Sequence, residues 1–412
     1  MTAHLLRAPH ATAIPPSCVH GVYRSVNEWQ RRTGRDVVRL DIGEPHVKPP
    51  GVVVEALAAA ARDGRTTYTP AEGLPVFRER LAAKLVEVNG HDTSPDLVFV
   101  TPGASQGLSA VMQSITDPGD EILLPGFHWP IHLQQSVLAG LRPVCYPLDD
   151  RFRPDLDAIA DIAGERTRVL LVNTPNNPTG AVYEPEVQTA LLELARRNDW
   201  LVISDEAYED FVYEGAHFSM AALERDVPPD ERRVFTVYSY SKNFAMTGYR
   251  LGYVGTPNRA RADTLQVVQE ASILSSPTPV QYAGLAALEH GMPEVRKHHD
   301  LVRSAWDGLA PLADAGLLAW YPEGGWFALL NIDRLGMDAD AFAATLLERE
   351  AVAVAPARGF ALRPAWDGDG RITGMGADPV TEHHLRIAFC GEPDGVRDAV
   401  RRIAAFAAEA QR

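Results

Sequence analysis

Short, near-continuous apolar runs that alternate with turns and helical stretches constrain this chain more than any other feature. Leu97–Val100, Glu121–Leu124, Val169–Asn173, Leu201–Ser204 and Val234–Tyr238 read as strands. The buried runs lack the polar alternation of a strand with one wet face, so they belong in a sheet covered on both sides. Pro102-Gly103-Ala104 opens a helix with Leu108, Val111, Met112 and Ile115 at helical spacing, and Glu186–Asn198 forms another. Strand and helix in alternation predict an α/β fold, a mostly parallel sheet with helices on both faces. Ligands of such sheets bind beyond the C-terminal strand ends. Ser105, Asn177, Asp205 and Lys242 all fall just past those ends.

The flanks read differently. A mobile arm over about residues 1–20 leads to a short helix near Tyr23–Arg31 and a strand at Val37–Ile42, stopped by Gly43-Glu44-Pro45. Helices follow at Val52–Arg62 and Leu74–Val88. From about Gln281 a long helical stretch begins. Beyond it Leu317–Tyr321, Trp326–Asn331, Val352–Ala355 and Leu385–Phe389 read as short strands, with helices at Ala339–Glu350 and Asp394–Ala408. That pattern predicts a small α+β domain. Residues 361–380, rich in Gly and Asp, read as a surface excursion.

Whole-chain properties narrow the function. A net charge of −15 over 412 residues argues against a nucleic-acid surface. No uncharged apolar run approaches the roughly 20 residues of a membrane helix. The first residues lack an apolar signal region. Cys18, Cys145 and Cys390 lie far apart and show neither a disulfide framework nor a metal spacing, so a reducing cytoplasm is expected. His298-His299 and His383-His384 are adjacent pairs, which point apart on a helix or a strand, so no metal is expected.

The run Val234–Tyr238 delivers Ser239-Tyr240-Ser241-Lys242 to the edge of the sheet, and Arg250 follows eight residues later. A lysine so placed can form a Schiff base with a carbonyl. Serines and an arginine around it suit a phosphate. The carbonyl compound that carries a phosphate is pyridoxal phosphate, whose enzymes use a Schiff-base lysine and an acidic partner for the ring nitrogen. Asp205 could be that partner, or a buried cap of the next turn. Tyr208 and the Asn177 amide could hydrogen-bond the ring hydroxyl, or be ordinary satisfied polar groups. Thr101–Gln106 joins a strand to a helix start, where backbone N–H groups and Ser105 could hold a phosphate or simply cap the helix. Phe127 is a candidate to stack on the ring, with Trp129 as rival. Arg386, a cation among apolar neighbours, could clamp a carboxylate or make a surface ion pair.

With these residues assembled, the sequence resembles the fold type I pyridoxal phosphate-dependent aminotransferases of class I/II, the aspartate aminotransferase-like family. The matching stretches are Gly43-Glu44-Pro45, Tyr68–Leu74, Gly103–Gln106, Asn176–Gly180, Ser204–Tyr208, Ser239–Lys242 with Gly248–Tyr253, Gly324–Phe327 and Leu385–Ile387, in the family's order. The resemblance implies a seven-stranded sheet in a large domain at 49–290. A small domain at 291–412 would be joined by part of 1–48. Lys242 would hold the cofactor and carry the substrate's proton, with Asp205 on the ring nitrogen and Tyr208 and Asn177 on the ring oxygen. Gly103, Ala104, Ser105, Ser239 and Arg250 would hold the phosphate, and Phe127 would stack on the ring. Arg386, Asn177 and the Gly43 backbone would bind the substrate carboxylate, with Trp326 near the side chain. A homodimer is implied, in which Tyr68 reaches the partner subunit's phosphate.

The expected reaction moves an amino group between an L-amino acid and a 2-oxo acid. A lyase, cyclase or oxidase on the same site is the alternative, and an aminotransferase-like ligand sensor is disfavoured by the short, weakly basic N-terminus. His46 stands where the family often has aspartate. Ser105 replaces a lysine that some aspartate-specific relatives carry. The aromatic run Phe127–His132 then suggests a neutral or aromatic side-chain pocket.

Overall fold

The centre of the computed structural model is a seven-stranded sheet. Residues 9–318, 320–368 and 370–411 are described. The strands are β1 (Val98–Thr101), β2 (Glu121–Pro125), β3 (Arg142–Tyr146), β4 (Thr167–Asn173), β5 (Leu201–Asp205), β6 (Val234–Ser239) and β7 (Gly252–Gly255), in spatial order β1-β7-β6-β5-β4-β2-β3. Neighbours pair parallel except that β7 runs antiparallel to both β1 and β6. Leu171, Ile203 and Phe235 are fully buried on one face, and Leu170, Val172 and Val202 on the other. Each such side chain contributes about 1.5–3 kcal/mol of burial, which is why these runs carry no polar alternation.

Helix α1 (Cys18–Thr33) is longer than the helix expected near Tyr23–Arg31 and starts inside the expected mobile arm. Its C-terminus is closed by Gly34 at φ 68°. Residues 1–8 of that arm lie outside the described residues. Ile14 packs beside the core, and the Pro15 carbonyl accepts a hydrogen bond from Gln134 Nε2 at 3.1 Å. Helix α2 (Ala104–Ile115) follows β1, and helix α3 (Pro130–Leu138) lies between β2 and β3. Helix α4 (Tyr240–Asn243), a single turn, follows β6.

Sequence reasoning missed β3, β7 and α3. The first carries Pro143 and Cys145, and the second is the glycine-bounded Gly252-Tyr253-Val254-Gly255, so neither has the composition of an ordinary strand. The expected strand at Leu317–Tyr321 is also not formed. Leu318 makes one bridge to Leu330, Ala319 lies outside the described residues, and the rest is irregular. The expected strand at Val352–Ala355 is split. Val352–Ala353 pairs parallel with Val38–Arg39, and Ala355–Pro356 begins a three-stranded antiparallel sheet with His384–Ala388 and Phe327–Asn331.

Within the segment read as a surface excursion the described residues form regular structure. Leu362–Trp366 and Ile372–Ala377 form an antiparallel hairpin. Leu362, Ile372 and Met375 pack against the core of the seven-stranded sheet. Arg363 Nη1 donates to the Cys145 carbonyl on β3 at 3.2 Å, and Arg142 lies over the Trp366 ring at 4.9 Å. The hairpin therefore covers the sheet edge that β3 would otherwise expose.

A close backbone crossing ties β7 to the start of α2. A Cβ on Gly252 would lie 2.6 Å from both Ala104 N and Tyr238 O. Backbone atoms cannot step aside as a side chain can. Gly252→Ala is expected to destabilise the protein by about 2 kcal/mol, read as a lower urea midpoint. Gly248→Ala, with nothing within 4 Å of its added Cβ, is expected to leave the midpoint unchanged.

Candidate active site

Strands β1, β2, β4, β5 and β6 all end at one cavity of about 330 Å³. Lys242 stands in its wall. The Ser239 hydroxyl caps α4, accepting from Ser241 N at 3.2 Å. The single turn then points the lysine inward, where Nζ donates to the Gly43 carbonyl at 3.0 Å. Nζ also lies 5.4 Å from the Tyr208 ring centre and 5.0 Å from that of Trp326. Burial lowers its pKa to about 8, and the nearby Arg386 and Arg250 charges push the same way. A lysine held near 8 has a useful neutral fraction for attack on a carbonyl.

Asp205, the last residue of β5, lies in the floor. Its Oδ2 is 2.8 Å from His132 Nε2, and its Oδ1 accepts from Ala207 N at 3.2 Å. His132 is completely buried on α3. Asn173 Nδ2 donates to the Asp205 carbonyl at 3.1 Å, while its Oδ1 accepts from Asn177 N at 3.1 Å. The ends of β4 and β5 are thus locked together. Tyr208 also lines the cavity, and burial raises its phenol well above the usual range, so it stays protonated.

A polar, cationic end faces this floor. Ala104 and Ser105 open α2, and Ser239, Ser241, Thr247 and Arg250 line the same cavity. Arg250 takes a left-handed backbone conformation at φ 57° and donates from Nη1 to the Thr247 carbonyl at 2.9 Å. Among the described residues it makes no ion pair with a carboxylate. Its guanidinium rests on Gly103, where a Cβ would lie 2.5 Å from Nη2. A helix N-terminus, hydroxyls and an uncompensated guanidinium together fit a phosphate.

Arg386 closes the other side. It sits in the strand His384–Ala388, buried between the Phe327 ring at 4.3 Å and the Phe360 ring at 4.4 Å. Nη2 donates to the Asp41 carbonyl at 2.6 Å and Nη1 to Asn177 Oδ1 at 3.2 Å, while Nε has no partner. Burial lowers its pKa to about 10, which leaves it charged at neutral pH and short of an anion.

Gly43, Ala104, Ser105, Asn177, Asp205, Tyr208, Ser239, Lys242, Arg250 and Arg386 are therefore brought to one cavity. Four expected residues do not line it. Gly103 sits against the Arg250 guanidinium just before α2. Phe127 is packed into the core against Phe152 at 5.7 Å, because the tight turn after β2 directs it there, and its rival Trp129 lines the cavity instead. Trp326 is fully buried behind Tyr208 and Lys242, edge-on to the former at 5.5 Å, and Phe327 takes the lining position. Tyr68 is 81% exposed and lies outside the cavity.

Sequence reasoning missed His132, Asn173, Thr247 and the arm residues Ser17, Val19 and His20, all of which bear on the cavity. His132 ends the aromatic run after Pro125-Gly126, and Asn173 ends β4. Those positions were the available signals. Nothing in the arm's own sequence marks it.

Among the described residues no cluster of His, Cys, Asp or Glu is placed to hold a metal ion, and no helix is long and apolar enough to cross a membrane.

Fold and site together place a lysine between two cationic ends, one with a helix N-terminus and hydroxyls and one with a buried arginine, at the strand ends of an α/β sheet. The family profile "Aminotransferase class I and II" matches residues 35–403. The aspartate/prephenate aminotransferase of Thermus thermophilus is 34% identical over 405 residues, covering 95% of this chain and 96% of its own. An arginine–pyruvate transaminase of Pseudomonas aeruginosa is 32% identical over 362 residues, covering 87% and 90%. A solved Thermus thermophilus aspartate aminotransferase, a double mutant, superposes with a TM-score of 0.86 at 33% identity, covering 97% and 99%. The chain belongs to the class I and II aminotransferases, pyridoxal phosphate-dependent enzymes that transfer an amino group between amino acids and oxo acids.

The lysine's lowered pKa has a measurable consequence. The neutral amine, not the ammonium, attacks an aldehyde. The rate at which apoprotein captures pyridoxal phosphate is expected to rise with pH through about 8 and then level off. Lys242→Ala is expected to abolish covalent capture at every pH. Stopped-flow absorbance with borohydride trapping checks both.

Proposed function

We propose that this aminotransferase acts on an L-amino acid with a neutral or aromatic side chain. The observation that carries the reading is the makeup of the cavity wall. Val19, Ile42, Trp129, Ile131 and Phe327 face the space beside Arg386 and Lys242. Of the cations lining that space, Arg386, Arg250 and Lys242 are taken by the roles below, which leaves His20 as the one further basic side chain among the described lining residues. The Thermus relative is named for aspartate and prephenate. A dicarboxylic substrate here would have to set its second carboxylate against His20 or the apolar wall, an expensive desolvation.

The residue roles follow from charge and reach. Arg386 would take the α-carboxylate through two parallel hydrogen bonds, helped by Asn177 and held flat by Phe327 and Phe360. Arg250, Ser105, Ser239, Ser241 and the α2 N-terminus would hold the cofactor phosphate. Asp205, kept in place by His132 and Asn173, would face the ring nitrogen, and Tyr208 and Asn177 the ring oxygen. Trp129, not Phe127, would cover the ring. When bound, pyridoxal phosphate supplies an electron sink for the bond broken at the substrate's α-carbon. Lys242 Nζ, held at the cavity wall by the Gly43 carbonyl, would accept and return the α-proton.

Two coarser features belong to the same reading. Residues 49–290 would form the large domain, with part of 1–48 and 291–412 forming the small one. This is supported by the core that joins Leu40 to residues from Val302 to Ala407. A homodimer would bury the exposed Val52, Val54, Val76 and Tyr68 and bring Tyr68 to the partner's phosphate seat.

An amino-acid panel in the first half-reaction tests the substrate class. Neutral and aromatic amino acids are expected to lead; aspartate or glutamate ahead by about tenfold would end the proposal. Arg386→Lys is expected to raise KM for amino acid and oxo acid alike by about 10- to 100-fold, since one point charge replaces a two-pronged clamp.

A further inference from the structure

Beneath the cavity floor lies a cluster of buried polar side chains that none of these roles uses. Glu206 directly follows Asp205 and is fully buried. Its Oε1 accepts from Ser204 Oγ and Ser219 Oγ at 2.9 Å each, and its Oε2 from Tyr238 OH and His217 Nε2 at 2.9 Å each. Burial alone would raise this carboxyl, but His217, His91 and Ser219 outweigh it and hold it down to about 2. Directly after Tyr208 the pattern repeats. Glu209 is gripped by Lys84 Nζ at 2.6 Å and Asn89 Nδ2 at 2.8 Å, and Asp210 Oδ2 accepts from Asn243 Nδ2 at 2.8 Å. Tyr208 is thus pinned from both sides of its turn.

Asn243 is the residue after Lys242, in a helix of four residues. A helix that short does not hold itself in place. The Asn243 side chain is fixed at both ends, since its Oδ1 accepts from Phe244 N at 2.9 Å while its Nδ2 donates to Asp210. One hydrogen bond therefore joins the turn that carries Tyr208 to the helix that carries Lys242.

We propose that the Asn243–Asp210 hydrogen bond is a positioning element for the transamination reaction, setting where Lys242 Nζ stands relative to Tyr208 and Asp205. It rests on the reading of Lys242 as the cofactor-linking lysine. The pair acts through geometry and not through the Asp210 charge. Burial and the neighbouring Glu209 push the Asp210 carboxyl up, against ionisation, while Lys84, the Asn243 hydrogen bond and His217 pull it down. An amide at 210 keeps the acceptor oxygen that Asn243 needs.

The test compares holoenzyme carrying Asp210→Ala, Asn243→Ala, both together, or Asp210→Asn. Either alanine is expected to lower kcat about tenfold and to speed cofactor loss on gel filtration, with KM changed less than about twofold. The double variant is expected to be no worse than the worse single one, because both remove the same bond. Asp210→Asn is expected to keep near-normal kcat, cofactor retention and pH profile. The proposal is overturned if Asp210→Asn is as impaired as Asp210→Ala, which would assign the effect to charge. Additive losses overturn it too, and so does a lower melting temperature with kcat and cofactor retention unchanged. If Asp210→Ala does not fold, Asn243→Ala and Asp210→Asn decide alone, since opposite results are expected of them. Borohydride trapping and peptide mapping accompany every variant. Label on a residue other than Lys242 overturns the Lys242 reading along with the proposal, whereas label on Lys242 with unaffected kinetics overturns the positioning role alone.

Discussion

A strand buried on both faces, such as β4 or β5, offers little room for polar side chains along its length, so polar chemistry collects where the strands stop. The parallel run of β4, β5 and β6 brings those stops together at one edge. Asn173, Asp205 and Ser239 are the last residues of their strands, and each lies within reach of its neighbour's terminus. The crevice that results is the place where an α/β sheet takes its ligands. Everything else in the site is an arrangement around that edge.

Electrostatics gives the crevice its direction. Lys242 and Arg386 are desolvated, and both have lowered pKa values for that reason. Arg250 lines the same space with no carboxylate partner among the described residues, and Arg386 Nε is unsatisfied. For the buried Arg386 that lack is costly until an anion arrives, whereas Arg250 is exposed and open to one. A phosphate at the α2 end and a carboxylate at the Arg386 end supply what the protein withholds. Asp205 is the local exception, and its partner is His132 rather than any of these cations.

The cavity is also a meeting of distant chain segments. Ser17, Val19 and His20 come from the N-terminal arm, Trp129 and Ile131 from the start of α3 and the residue before it, and Phe327 and Arg386 from near the C-terminus. The segment before Arg386 is bound to the central sheet. His128 N donates to the Phe360 carbonyl at 2.7 Å, and the hairpin beyond Phe360 lies on β3. The aromatic clamp around the guanidinium and the turn that presents Trp129 therefore share one support.

The fold class, five strands of the central sheet, and the cavity residues Gly43, Ala104, Ser105, Asn177, Asp205, Tyr208, Ser239, Lys242, Arg250 and Arg386 were legible in the sequence, because buried strands and strand-end motifs write themselves in local composition. Strands β3 and β7 were not, since proline, cysteine and glycine hide a strand whose pairing is set by its neighbours. Nor was the choice between Phe127 and Trp129. Both follow the same turn, and backbone direction alone sends one ring into the core and the other into the cavity. Trp326 and Phe327 differ in the same way, because the bend before the strand Phe327–Asn331 puts the first ring in the core and the second in the cavity wall. The sequence by itself determined which residue types stand at the strand ends and hence the chemistry available. Tertiary structure decided which of them meet, that His132 backs Asp205, that the arm lines the cavity and that the hairpin lies on β3. Those contacts join residues more than a hundred positions apart in several cases, and no local pattern can encode them.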